Sequence, residues 1–340
     1  MSRYRQLLQE IEASPRRWLV TGAAGFIGSH LVESLLRAGQ NVVGLDSFAT
    51  GHAHNLDKVR ALVGADAAGR FTFIEGDIRN EEDCRRACDG VQHVLHQAAL
   101  GSVPRSLEDP IASHAANVDG FLKMANSARV CGVESMSYAS SSSVYGDHPA
   151  LPKVEDAIGN PLSPYASTKL IDEIYASTLH RCYDMRIAGL RYFNVVGTRQ
   201  DPNGAYAAVI PRWIRIFLEG GTPEIFGDGE TSRDFCPVGN VVQANLLAAT
   251  TEEVGGEVFN IALGGRMTLT DLYGHLRDAL VGQGVACGDR DAIYKEFRSG
   301  DVRHSHANID KAISRLGYEP EFTLEDGLAQ TVAGFVATDD

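Results

Sequence analysis

Hydrophobic positions change their period along this chain. Between about residues 17 and 191, the short β-rich apolar runs RWLVTG, NVVGLD, FTFIEGD, VQHVLHQA, VESMSYAS and MRIAGLRYF alternate with longer stretches of helical period, such as 26–38, 110–131 and 165–182. Apolar strands separated by helices predict a doubly wound α/β architecture, a parallel sheet covered on both faces whose strand ends open onto a ligand crevice. At the start, MSRYRQLLQEIEASP sets Tyr4, Leu7, Leu8 and Ile11 at helical spacing between charges, which predicts an amphipathic helix. After FNVVG the pattern loosens into the turn-rich RQDPNGAYAAVIP and FGDGETSRD. Helical segments follow at 207–219, 238–251, 268–282 and 324–336, with short strands near 224–226 and 257–261. A smaller mixed α/β C-terminal domain is expected, sharing a cleft with the first. The expected division is 1–196 plus 236–262 against 197–235 plus 263–340.

Composition narrows the partners. With 44% hydrophobic and 22% charged residues, 340 residues are enough to bury a large core, and the formal net charge of -13 opposes nucleic acid and anionic membrane surfaces. Any bound phosphate must be held by local groups. Six cysteines without a CxxC pair suggest neither a metal site nor a disulfide framework, and Cys84 and Cys88 read as two thiols packed on one helix face. No run supplies the ~20 apolar residues of a membrane span, and the start lacks the continuous apolar core of a signal peptide. The expectation is a cytoplasmic protein in a reducing compartment.

One stretch supplies the local phosphate holder. WLVTGAAGFIGSHLVESLL places Gly22, Gly25 and Gly28 between a strand and a helix. Gly22 permits the tight turn, Gly25 removes a Cβ where a pyrophosphate approaches, and Gly28 allows the helix to pack on the strand, while the helix N-terminus offers amide hydrogens. Asp46 ends the second strand, 24 residues past Gly22. A carboxylate there accepts from ribose hydroxyls and repels a 2′-phosphate, which favours NAD over NADP. Asp77 reads either as a turn residue or as an acceptor for an adenine amino group.

In SPYASTK, Ser163 suits an N-cap and Pro164 the first helical turn, so Tyr165 and Lys169 fall one turn apart on the same face. Tyrosine is a poor base near neutral pH, and a neighbouring ammonium together with an oxidised nicotinamide favours its phenolate. With TGAAGFIG, Asp46, HQAA, YASSSSVYG, PYASTK and RYFNVVG in this order, nearly the whole chain resembles the extended branch of the short-chain dehydrogenase/reductase family.

That resemblance implies a Rossmann domain binding NAD (1–196 plus 236–262) and a UDP-sugar-binding domain (197–235 plus 263–340). It implies cofactor contacts from Gly22, Gly25, Phe26, Ile27, Gly28, Asp46, Ser47, Asp77, Ile78, Tyr165, Lys169 and Tyr192, and from the Gln97, Ala98 and Ala99 backbone. Ser141 becomes the hydroxyl partner of Tyr165, with Ser142 as the alternative. Relatives that expel water carry an acidic pair where this chain has Ser142 and Ser143, so the family pattern points to a UDP-sugar 4-epimerase acting through a transient 4-keto sugar.

The same pattern assigns Asn194, Ala208, Val209, Trp213, Ile225 and Phe226 to the nucleotide sugar, Arg233 and Arg298 to its diphosphate, and Asp301 to the uridine ribose. HQAALGSVPRS, GDHPALPKVED and RQDPNGAYAAVIP are similar to a subgroup that prefers N-acetylated sugars. Gly101, Ser102 and Ser305 would there leave room for an acetamido group. The resemblance further implies a homodimer through helices 110–131 and 165–182. Other UDP-sugar 4-epimerases, for UDP-glucose or a UDP-uronate, remain as alternatives, as does a non-catalytic NAD-sensing module, against which the intact Ser141, Tyr165 and Lys169 argue. Pro237 and Gly239 depart from the family pattern, where they threaten the return crossing between domains.

Overall fold

The computed structural model describes residues 1–202, 208–287, 291–297 and 303–339. Seven parallel strands form its main sheet: β1 (Arg17–Thr21), β2 (Asn41–Asp46), β3 (Phe71–Glu75), β4 (His93–His96), β5 (Ser135–Ser141), β6 (Ile187–Tyr192) and β7 (Val258–Ile261). Their spatial order is β3-β2-β1-β4-β5-β6-β7. The chain therefore leaves β1 on one side for β2 and later returns to β1's other side as β4, and this reversal opens a crevice beyond the strand ends.

Burial explains why apolar runs, rather than alternating ones, become strands here. Trp18 and Val20 face one layer, packed with helix Phe26–Arg37 and helix Val238–Thr250. Leu19 faces the other, among Val94, Met124, Met136 and Ala176. Both faces are dry, so each strand position pays the same apolar requirement. The N-terminal helix forms as expected over Arg3–Ala13 and buries Tyr4, Leu7 and Ile11 in the first layer. Cys84 and Cys88 are buried on one helix, Cys88 beside Met124.

The stretch 110–131 departs from a single α-helix. It runs as α over Pro110–His114, opens into a π turn over Ala115–Asp119, and resumes α over Gly120–Val130. A helical period in sequence does not distinguish the wider turn from the ordinary one, and such turns gather at functional sites. Here the π turn presents Asn117, whose Oδ1 accepts from Leu100 N at 2.7 Å and whose Nδ2 donates to Leu100 O at 3.2 Å and to Thr168 Oγ1 at 3.0 Å. The loop after β4 is thereby tied to the helix that carries Tyr165.

C-terminal elements build a third apolar cluster from helices Val209–Leu218, Leu269–Gly282 and Leu324–Asp339, with strand Glu224–Phe226 pairing in parallel with Ile293–Lys295. Pro237 sits at the N-cap of Val238–Thr250, beyond a two-residue pairing of Cys236–Pro237 with Val195–Val196. A helix start has no intrahelical use for that missing N–H. At Gly239 a Cβ would lie 2.5 Å from a ring carbon of Phe322, so the missing side chain admits that ring. The crossing that looked vulnerable in sequence is accommodated.

Candidate functional site

A cavity of about 1010 Å³ opens at the C-terminal ends of β1, β4, β5 and β6. Gly22 begins its wall, with φ +66°, and its N–H donates to Leu45 O at 2.8 Å. A Cβ at Gly22 would stand 2.9 Å from Ala98 N, and one at Gly28 would overlap Gly22 O. Gly25 caps helix Phe26–Arg37 without a side chain, leaving the helix N-terminus open to the cavity beside Phe26 and Ile27. This cradle, which side chains would fill, fits a dinucleotide pyrophosphate.

Asp46 is only 8% exposed, and burial raises its carboxyl above the usual range while backbone donors oppose the shift. Its Oδ2 accepts from Ala24 N at 2.9 Å and its Oδ1 from Phe48 N at 2.8 Å. Each oxygen keeps a second lone pair for a ribose hydroxyl. Ser47, Asp77 and Ile78 continue the wall. Asp77 is gripped by Arg79, Nη2 to Oδ2 at 2.6 Å, and also accepts from Arg79 N at 2.8 Å. The Arg79 guanidinium holds the Asp77 carboxyl below its usual range, an ion pair that the motif EGDIR carries but that its reading passed over.

Behind the next wall stands a chain of hydrogen bonds whose direction can be derived. Thr21 Oγ1 accepts from Gln97 N at 3.2 Å and Ala98 N at 3.1 Å, so its own hydrogen goes to His96 Nδ1, 2.9 Å away. His96 must then be neutral, with its proton on Nε2. Burial, and secondly the Lys169 ammonium, hold its pKa down at about 3, in agreement. The turn Gln97-Ala98-Ala99 is fixed on the cavity by this hidden hydroxyl. Tyr192 donates to Gln97 Oε1 at 2.9 Å and accepts from Asn245 Nδ2 at 2.8 Å, and Gln97 Nε2 donates to Asn245 Oδ1 at 2.9 Å. Burial pushes the Tyr192 hydroxyl well above the ordinary tyrosine range, so it serves as a frame rather than a base. Asn245 was missed in sequence; a polar side chain in a helix buried on nearly every side was its signal.

Helix Pro164–Tyr183 starts where its sequence predicts. Ser163 Oγ accepts from Ala166 N at 3.1 Å, and Ser106 Oγ accepts from Tyr165 N at 3.0 Å. Tyr165, Lys169 and Ser141 all line the cavity. Lys169 Nζ lies 3.3 Å from Asp172 Oδ2, with both side chains buried. Ser141 Oγ accepts from Ser143 N at 3.1 Å, which closes the short turn Ser142–Tyr145. That turn carries Ser142 and Ser143 away from the wall, whereas Ser140 and Ser141 remain on it.

On the far side, Gly101, Ser102, Asn194, Ala208 and Val209 join the same cavity. Of the five non-glycine residues with positive φ among those described, Ser102, Asn194 and Arg199 line it. Backbone strain thus gathers at this site. Trp213 is instead buried in the third cluster, because helix Val209–Leu218 turns its strongly apolar face inward, and Ile225 is buried there from the middle of strand Glu224–Phe226. Ser142, Ser143, Phe226, Arg233 and Ser305 also stand off the described wall. Arg233 Nη1 donates to Ser232 O at 3.0 Å, and Ser305 N donates to the same carbonyl at 3.0 Å. Arg298 and Asp301 lie outside the described residues.

Arg105, Arg199 and Gln200 line the cavity without having been singled out in sequence. Arg199 Nη2 pairs with Glu33 Oε2 at 2.8 Å, which ties the segment after β6 to the helix of the glycine loop. Arg79, Arg105, Lys169 and Arg199 share the wall with Asp46, Asp77 and Asp201, and Arg79, Lys169 and Arg199 are each paired with a carboxylate, so the glycine loop and helix N-terminus remain the phosphate holder. Among the described residues no group of three or more His, Cys, Asp or Glu could hold a metal, and no helix is long and apolar enough to cross a membrane.

Comparisons with known proteins follow this geometry. The model of the family described as "NAD dependent epimerase/dehydratase family" matches residues 18–262. A UDP-glucose 4-epimerase of Mycolicibacterium smegmatis is 37% identical over 321 residues, 94% of this chain and 98% of that one. The solved UDP-N-acetylglucosamine 4-epimerase from Methanobrevibacter ruminantium M1, in complex with UDP-N-acetylmuramic acid, superposes with a TM-score of 0.87 at 35% identity, covering 95% of this chain and 99% of that one. A UDP-glucuronic acid 4-epimerase from Bacillus cereus, in complex with UDP-glucuronic acid and NAD, gives 0.83 at 31% identity, covering 95% and 99%.

Proposed function

The chain belongs to the NAD-dependent epimerase/dehydratase family, and from that premise we propose that it is a UDP-sugar 4-epimerase whose preferred pair is UDP-N-acetylglucosamine and UDP-N-acetylgalactosamine. The observation carrying this reading is that Tyr165, Lys169 and Ser141 meet the glycine loop on one cavity, whereas serines replace the acidic pair that elimination needs. NAD, when bound, supplies a reversible two-electron oxidant for carbon 4 of the sugar.

In this reading Gly22, Gly25, Gly28 and the helix N-terminus hold the cofactor pyrophosphate, and Asp46 takes a ribose. Tyr165 removes the proton of the 4-hydroxyl, with Ser141 sharing it and Lys169 stabilising the phenolate by its charge. Asn194 and the segment around Ala208 and Val209 keep the nucleotide in place while the transient 4-keto sugar turns over. Tyr165 then returns the proton to the 4-oxygen of the turned sugar, so one residue serves as base and acid in each cycle. Gly101 and Ser102 provide the space and the hydroxyl for an acetamido group, and the similarity to the M. ruminantium enzyme supports that preference. Residues 1–196 with 236–262 would hold the cofactor, and the remainder the nucleotide sugar. Ile111, Val130, Ile174 and Tyr175, exposed along the helices expected at a dimer interface, favour a homodimer. All six cysteines are unpaired, which suits a cytoplasmic setting.

A second reading has one observation of its own. Arg105 lines the cavity three residues past Ser102, where a cation suits the carboxylate of a UDP-uronate. One experiment decides between the two. Purified protein is incubated with UDP-N-acetylglucosamine, UDP-glucose and UDP-glucuronate without added cofactor, and the stereochemistry at carbon 4 is followed by NMR. The proposal expects kcat/KM for the acetylated sugar to exceed that for UDP-glucose by about tenfold. Faster turnover of the uronate would transfer the assignment to the second reading, and failure on every sugar would favour an NAD-sensing module.

A further inference from the structure

Two acids lie side by side on the helix that carries Tyr165, and they have different partners. Glu173 is fully engaged: its Oε1 accepts from Ser140 Oγ at 2.5 Å and Arg191 Nε at 2.8 Å, and its Oε2 from Arg191 Nη2 at 2.7 Å. Asp172 has no such share. Its Oδ2 meets Lys169 Nζ at 3.3 Å, its Oδ1 has no hydrogen-bond partner, and its side chain is 1% exposed. Arg191 from β6 thus balances Glu173, and among the described residues the ion-pair partner of Lys169 is Asp172.

Among the described residues, the charges that bear on the Asp172 carboxyl are Lys169, which lowers it, and Glu173, which raises it. From β5 the Tyr138 hydroxyl is buried and unpaired, its ionisation opposed first by burial and then by the charges of Glu173 and Asp172. From β4 the neighbour of Lys169 is His96, held neutral. The helical segment across from it sends Asn117 to Thr168, while its His114 and Asp119 side chains are exposed. Lys169 thus stands between a buried carboxylate and the cavity wall that Tyr165 shares.

We propose that Asp172 is a positioning residue for catalysis, which holds the Lys169 ammonium at the cavity and sets how much of its charge reaches Tyr165. An ionised Asp172 offsets part of the potential that favours the phenolate; a neutral one exposes Tyr165 to all of it. Burial holds the Asp172 carboxyl up at about 7, against the pull of Lys169, so the offset grows as pH rises through neutrality. The inference rests on the reading of Tyr165 as the base.

Its test is a titration of the Tyr165 phenolate by ultraviolet difference absorbance, wild type minus Tyr165→Phe, in the NAD-loaded enzyme. Asp172→Asn keeps the shape and removes the charge, and should move the midpoint down by about one pH unit. The acid limb of kcat/KM should move with it. Asp172→Glu restores the charge and should bring the midpoint back to within about 0.3 unit of wild type. Asp172→Ser, neutral and smaller, repeats the test if the amide is not accommodated. An unmoved or raised midpoint in a folded, NAD-loaded neutral variant would overturn the proposal. The absorbance reads Asp172 whatever sugar the enzyme prefers, whereas absence of any Tyr165 band would fail the reading of the base itself.

Discussion

A tyrosine buried in apolar surroundings becomes a weaker acid, because burial penalises its phenolate. That rule disfavours three nearby tyrosines as bases. Burial pushes Tyr145 up to about 12 and raises Tyr138 and Tyr192 as well, whereas Tyr165 stands half-buried on the cavity wall one turn before Lys169. Tyr165→Phe keeps the ring and deletes the proton acceptor. It should lower kcat by about 10²–10⁴-fold while UDP affinity, measured by calorimetry, stays within about threefold. Lost UDP affinity would assign Tyr165 a structural role instead. The Tyr-Lys pair is legible in sequence because both residues lie on one helix at a fixed spacing. Asn245 and Thr21 are not, since their importance comes from contacts more than 70 residues away in the chain.

At the scale of elements, the strand-loop-helix around Gly22, Gly25 and Gly28 carries the cofactor half of the account. Backbone cannot yield at Gly28, where a Cβ would overlap Gly22 O. Gly28→Ala should therefore open the loop, lower the NAD retained on purification and destabilise the fold by about 1–3 kcal/mol. Gly274→Ala, inside a helix with nothing within 4 Å, serves as the control and should be neutral or slightly stabilising. Retention of NAD and melting temperature in Gly28→Ala would contradict the close-approach argument. The same paired strands and helices were readable because buried strands and amphipathic helices differ in period. The π turn at Ala115–Asp119 was not, as its extra residue per turn answers to Asn117 reaching Leu100 and Thr168. Nor was the buried Trp213: the motif AAVIPRW suggested a ligand contact, and the helix moment sends that indole into the core.

Across the whole molecule, a net charge of -13 coexists with a cavity edged by Arg79, Arg105, Lys169 and Arg199. Overall charge sets what the surface repels, and the local arrangement of charges and backbone donors sets what the cavity admits. The doubly wound sheet was legible from periodicity alone, whereas the cations come from four separate segments and converge only on folding. The off-wall position of Arg233 has the same origin, because motif order along a chain does not state which side of a two-residue strand faces a cavity. In the proposed reaction hydrogen leaves and returns to the same carbon within one site. Its most direct test is incubation of the NAD-loaded enzyme with UDP-N-acetylglucosamine deuterated at carbon 4, followed by NMR of the UDP-N-acetylgalactosamine formed. The account predicts a product that keeps its deuterium at carbon 4, and protium from solvent at that carbon would contradict it.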